Sequence, residues 1–267
     1  MANPVSLHSA GHRRGVVCAP HFATVEAGRS ILAEGGNAIE AMLAMAASIA
    51  AVYPHMNHLG GDGFWIIREP SGRVRAIMAA GPAALAAKPE LYRDYEAVPT
   101  RGPLAALTVP GAVGGWILAH EAARARGGKL PLKVLLTAAI TQARNGYAVT
   151  RSQRRLTEEQ FESLKDVPGF AAQFLLDGKV PEVGAVLKQE AFAATLEHLT
   201  YAGLEDFYRG DAGRETAADL ERIGSPVSRT DLERYRATLT ITTDPAQRSQ
   251  SESCLTRRSQ TQKIRRR

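Results

Sequence analysis

Two histidines and an aspartate, His55, His58 and Asp62, flank the turn Gly60-Gly61-Asp62-Gly63. Imidazole and carboxylate together can hold a divalent cation or move protons. Their spacing is not diagnostic of a metal site, and hydrogen bonding within the turn is the better reading. The glycines imitate a phosphate-cradling loop only superficially. A strand follows them and none precedes, the reverse of a dinucleotide motif. Cys18 and Cys254 are too few for a disulfide framework and read as free thiols. Glu205 and Asp206 read as a solvated pair at a helix end, and Arg73 and Arg75 as solvent-facing cations on a strand. Arg265-Arg266-Arg267 could meet phosphates, but no aromatic residue is interleaved to stack on bases, so no nucleic-acid partner is expected.

The elements that must position these groups are mostly helical. Phe22 to Ala33 reads as a helix stopped by Gly35-Gly36. Asn37 is an N-cap for the next helix, which runs to about Val52 and is apolar nearly all round. Within it Met42 and Met45 read as core filler, and Glu40 as either a rare polar group on that helix or simply its solvent edge. Phe64 to Arg68 and Arg73 to Met78 form a hairpin across Pro70-Ser71-Gly72. Pro103 to Pro110 is extended or looped. Helices follow at about Gly111 to Arg126, from Pro131 to Asn145-Gly146, and over Ser152 to Leu164. Three more lie at Gln189 to Tyr201, Ala212 to Arg222 and Thr230 to Tyr235. Thr238 onward could start a further strand.

The chain has 267 residues and 45% apolar content, enough to fill a core. Its formal net charge of +6 resides in the segment from Gln247 to Arg267, where seven Lys or Arg face one acid, Glu252. The rest is neutral and has no electrostatic reason to seek nucleic acid or an anionic membrane. The first fifteen residues lack a signal-peptide apolar run, and no stretch is long and apolar enough to span a bilayer. A cytoplasmic location without membrane contact is expected. Three regions are delimited: a flexible N-terminus over 1–14, a domain over 15–241, and a disordered basic tail over 242–267 that is poor in apolar residues.

Six segments occur in an order that resembles one family. They are Gly35-Gly36-Asn37-Ala38, Leu59 to Phe64, Val109 to Trp116, Ala143 to Tyr147, Phe207 to Gly210, and Ser228 to Tyr235. Together they resemble the large-subunit half of gamma-glutamyltranspeptidases, from about Gly15 to Ala237. The resemblance implies an α+β fold, an incomplete αββα sandwich of the N-terminal-nucleophile hydrolase type. It also implies a precursor that cuts itself before a Thr, whose hydroxyl attacks an amide while its own α-amine serves as base. The acyl group then passes to water or an amine. No metal and no cofactor are implied. The partner implied is a small-subunit chain, and the substrate a γ-glutamyl compound or another small amide.

The sequence departs from that pattern in two places. The family's Thr lies beyond the point where this chain becomes rich in Arg, Ser and Gln. Thr242-Thr243 is a decoy, because Asp244-Pro245 follows rather than an apolar strand that would bury a processed N-terminus. A further core strand and a glycine-rich loop, expected after Tyr235, are not evident. No catalytic residue is therefore expected on this chain, and it should be inactive alone, as a truncated member. The alternatives are a half-enzyme completed by a separately encoded small subunit, or a non-catalytic binding module. The Arg that holds a γ-glutamyl α-carboxylate falls in register on Ala80, within Ala76 to Pro82. That departure, with the Asn57 to Asp62 variant, points to a side branch of amide hydrolases or acylases.

Overall fold

The computed structural model describes residues 15–167 and 169–242. The segments read above as a flexible N-terminus and, from residue 243 onward, as a basic tail lie outside the described residues. Thr243, Cys254 and Arg265 to Arg267 fall there too.

The chain is helix-rich α+β. Helix α1 (Phe22–Ala33) precedes α2 (Ala38–Val52). The start of α2 is set by Asn37, whose side chain accepts the N–H groups of Ile39 and Glu40, each at 3.0 Å. Glu40 returns the bond by accepting the Asn37 N–H at 2.8 Å, completing a capping box. Glu40 also accepts the Leu130 N–H at 2.9 Å. It is buried, which settles its role as an internal polar staple rather than a solvent edge.

Strands β1 (Gly63–Arg68) and β2 (Val74–Ala79) form the expected hairpin, in register from Gly63 opposite Ala79 to Arg68 opposite Val74. Helices α3 (Ala112–Arg124) and α4 (Leu132–Asn145) follow. Then come β3 (Tyr147–Ala148), α5 (Arg151–Leu164), α6 (Phe170–Phe174) and β4 (Val186–Leu187). The remainder comprises α7 (Glu190–Ala202), α8 (Asp206–Arg209), α9 (Asp211–Arg222), α10 (Arg229–Arg234) and β5 (Thr238–Thr242). The strand order is β1-β2-β5, with a separate β3-β4 pair. Strand β5 forms where Thr238 onward was expected to start a strand, its backbone pairing with β2 from Met78 to Val74, and it lies at the surface, with Leu239 42% exposed, rather than in the core.

The main core forms where α2 and α7 pack against α4. Leu43, Ala44 and Ala47 from α2 meet Leu135, Leu136, Ala139 and Ala143 from α4, which in turn cover Leu196 and Leu199 of α7. Alanines at these positions let helix axes approach closely at native packing density. Trp65, Ile77 and Ala79 pack the sheet onto α3. Among the described residues nothing buries the opposite sheet face, where Phe64, Ile66 and Met78 are exposed. Among the described residues no helix is long and apolar enough to cross a membrane.

Candidate functional site

Three of the glycine-containing segments, far apart in sequence, converge where β1 begins, β2 ends and α3 begins. The carbonyl of Gly61 accepts the N–H groups of Gly111 and Ala112 at 2.9 and 2.8 Å. The carboxylate of Asp62 accepts the Gly81 N–H at 2.9 Å. The Val109 N–H donates to the Pro82 carbonyl at 3.0 Å. Glycine is required because backbone meets backbone. A Cβ on Gly81 would lie 1.5 Å from the Val109 carbonyl oxygen, and one on Gly111 would lie 2.1 Å from that of Ala79.

Two tyrosines lock this junction from behind. Tyr208, on α8, donates its hydroxyl to the Pro110 carbonyl at 2.8 Å and accepts the Gly114 N–H at 2.8 Å. Tyr235, just past α10, donates to the Gly111 carbonyl at 3.4 Å, and its ring lies 5.1 Å from that of Tyr208. Asp231 ties α10 to the same region by accepting the Leu85 N–H at 2.9 Å. Burial raises the Tyr208 phenol. Tyr235 is pushed up to about 12, by burial first and then by the Asp62 carboxylate. Both phenols therefore stay protonated near neutrality and hold backbone rather than attack a carbonyl.

The junction opens into a groove of about 1140 Å³ between α2 and β1. Ile39, Met42, Met45 and Ile49 form its helical wall, and Phe64 and Ile66 its strand wall. Asn57, His58 and Asp62 stand at the junction end. Within the described sheet β1 is an edge strand, so its outer backbone groups lie along this groove. Met42, read above as core filler, is 47% exposed here, whereas Met45 is buried as expected.

The three groups flanking the turn do not form one cluster. His55 turns to α5, with Nε2 3.2 Å from the Ser152 hydroxyl. Burial lowers it to about 4, so it is neutral at physiological pH. The His58 ring packs on Phe192 of α7 at 4.8 Å between centroids. Asp62 faces Gly81. Among the described residues no three His, Cys, Asp or Glu side chains gather closely enough to hold a metal ion. Cys18 is an exposed free thiol.

Thr242 pairs with Val74, at the hairpin end of the sheet. The junction lies at the other end, beyond Ala79, about 17 Å away along β2 at about 3.4 Å per residue. Ala80, expected above to stand where the family resemblance places an Arg, is exposed beside the junction.

Arg73 and Arg75 do not point freely to solvent: both bond the Glu69 carboxylate, as does Arg126 at the end of α3. Glu69 closes a short hairpin, and its neighbours in sequence do not reveal that a third Arg arrives from α3. Asp206 is not a solvated partner of Glu205. It accepts N–H groups of Asp211 and Ala212 at 3.1 and 2.9 Å, capping α9, and bonds His198 Nε2 at 2.9 Å. Burial would raise its carboxyl, yet the bonds from Ala212, His198 and Asp211 hold it below its ordinary value. Glu205 pairs with Arg209 instead. The roles of Tyr208 and Tyr235 are not apparent in sequence, although both lie inside the motif segments Phe207 to Gly210 and Ser228 to Tyr235.

Comparison with known proteins agrees with this geometry. The family model for gamma-glutamyltranspeptidase matches residues 24–249. The oxamate amidohydrolase proenzyme of Klebsiella pneumoniae is 44% identical over 233 residues, covering 86% of this chain and 44% of that relative. The glutathione hydrolase-like YwrD proenzyme of Bacillus subtilis is 34% identical over 222 residues, covering 83% and 42%. The gamma-glutamyltranspeptidase of Pseudomonas nitroreducens complexed with L-DON superposes with a TM-score of 0.77 at 30% identity, covering 86% of this chain and 67% of that one. The chain spans less than half the length of these two curated relatives. Its fold is that of the N-terminal-nucleophile hydrolases, and on the matched segments, the shared architecture and the converging glycine loops it belongs to the gamma-glutamyltranspeptidase family.

Proposed function

We propose that this chain is the large-subunit framework of an amide hydrolase whose threonine nucleophile is carried on a second polypeptide portion. One observation carries the reading: the junction of the three loops opens directly into an apolar groove beside the free edge of β1. An unpaired strand edge facing an apolar helix wall has the shape and hydrogen-bonding capacity to accept an added strand. A strand seated there would bring its terminus to the junction, where the described side chains position backbone and offer no activated nucleophile.

The substrate is a small amide other than a γ-glutamyl compound. Ala80 supplies no cation where the family resemblance places the carboxylate-binding Arg, and the relative matching at 44% identity is an oxamate amidohydrolase. The chain alone is inactive, and it becomes an amidase when the second portion completes the sandwich. The test is co-expression with a Thr-led small-subunit portion. Copurification with release of ammonia from oxamate supports the reading. Absence of association, with both parts soluble, removes it.

A further inference from the structure

We propose that Arg73, Arg75 and Arg126 form a binding site for a small phosphate-class oxyanion in the groove between β2 and α3, with the Glu69 carboxylate as its fixed internal spacer. This site lies at the hairpin end of the sheet, away from the loop junction, where Glu69, Arg73 and Arg126 also border the far end of the α2–β1 groove; it does not depend on the amidase reading.

Three guanidiniums converge on one carboxylate. Arg73 donates through Nε at 2.8 Å, and Arg75 and Arg126 also bond Glu69. The remaining terminal nitrogen of Arg126 donates to the Ala122 carbonyl at 2.8 Å. The terminal nitrogens of Arg73 and Arg75 have no acceptor among the described residues. A guanidinium carries five N–H donors in a planar fork matched to an O–X–O edge. Among the described residues, two such forks are left with their outer donors available.

The charge balance points the same way. Three cations face Glu69 and, on the groove wall, Glu121, so the pocket keeps an excess of positive charge. The hydrogen bonds from Arg75, Arg73 and Arg126 hold Glu69 down to about 2, so it remains ionised and cannot be displaced by protonation near neutrality. Glu69 is 8% exposed, Arg75 19% and Arg126 25%, so these side chains are already largely ordered and desolvated before any ligand arrives. Such preorganisation reduces the entropic cost of binding. The groove holds about 400 Å³, and Leu118, Ala122 and Leu239 give it an apolar floor that strengthens charge pairing. A small oxyanion fits that volume, and its charge matches the surplus.

The test is equilibrium dialysis of the purified full chain against radiolabelled inorganic phosphate, at constant ionic strength adjusted with sodium chloride. Saturable uptake of one phosphate per chain is expected. Arg73→Gln and Arg75→Gln should each weaken it at least tenfold. Arg214→Gln, which removes an exposed guanidinium paired with Asp211 elsewhere, should leave it unchanged. Arg73 is 46% exposed, so its variant does not depend on core packing to fold. Non-saturable uptake, or equal affinity in Arg73→Gln, would overturn the proposal.

Discussion

The hydroxyl of Tyr208 and the backbone of Gly114 are joined by a 2.8 Å hydrogen bond, buried between α8 and the first turn of α3. The same hydroxyl donates to Pro110, one turn earlier. A residue late in the chain thus fixes where α3 begins, and with it the loop junction. Tyr208→Phe keeps the ring and removes both bonds, leaving a buried N–H and a buried carbonyl unpartnered. A loss of about 1–3 kcal/mol is expected, read as a lower urea midpoint at unchanged slope. An unchanged midpoint would show that water replaces the hydroxyl.

The glycines of the junction should differ sharply in tolerance. Gly81→Ala drives a Cβ into the Val109 carbonyl and should destabilise by at least about 3 kcal/mol, because backbone on both sides must move. Gly60 has open space around its absent Cβ, so Gly60→Ala should change stability by no more than about 0.5 kcal/mol. Paired denaturant melts compare the two. Similar losses would show that the close approach of Gly81 and Val109 is not maintained in solution.

His55 gives the fold a pH dependence of predictable sign. Burial lowers its folded-state value from 6.5 to about 4, so the unfolded chain binds the proton more readily. Its contribution to stability is complete above the unfolded value and is lost as pH falls from about 6.5 through 4. A titration of the His55 ring by proton NMR should show an apparent pKa well below that of an exposed histidine. A midpoint near 6.5 would mean that the contact with Ser152 opens.

The open sheet face should govern both solubility and association. Ile66 is 82% exposed on an edge strand, in line with Phe64. Exposed apolar edges invite self-association. Ile66→Lys should raise the soluble fraction of the chain alone and abolish copurification with a small-subunit portion. Light scattering and pull-down read the two effects, and an unchanged pull-down would place the partner elsewhere.

Much of the helical framework was legible locally. The Asn37 cap, the Glu40 partner of its box and the stop after Ala33 are encoded within a few residues, so their positions follow from short-range chemistry. The four-residue α8 and the two-residue strands β3 and β4 were not, because elements so short carry no period of their own. Met42 lies on the groove wall rather than in the core for a different reason. Helical periodicity marks an apolar face but cannot say whether the chain itself covers it. The junction escaped sequence reading because its contacts join Gly61 to Gly111, and Gly114 to Tyr208, across wide separations. Motif order flagged the segments involved, while their geometry required the fold.

Ammonia release from oxamate should be measured on the purified chain, alone and after co-expression with a Thr-led small-subunit portion. No turnover by the chain alone, and turnover by the completed pair, is the predicted result. Sustained hydrolysis by the chain alone, retained through repurification, would contradict the account, since the nucleophile would then have to lie within this polypeptide.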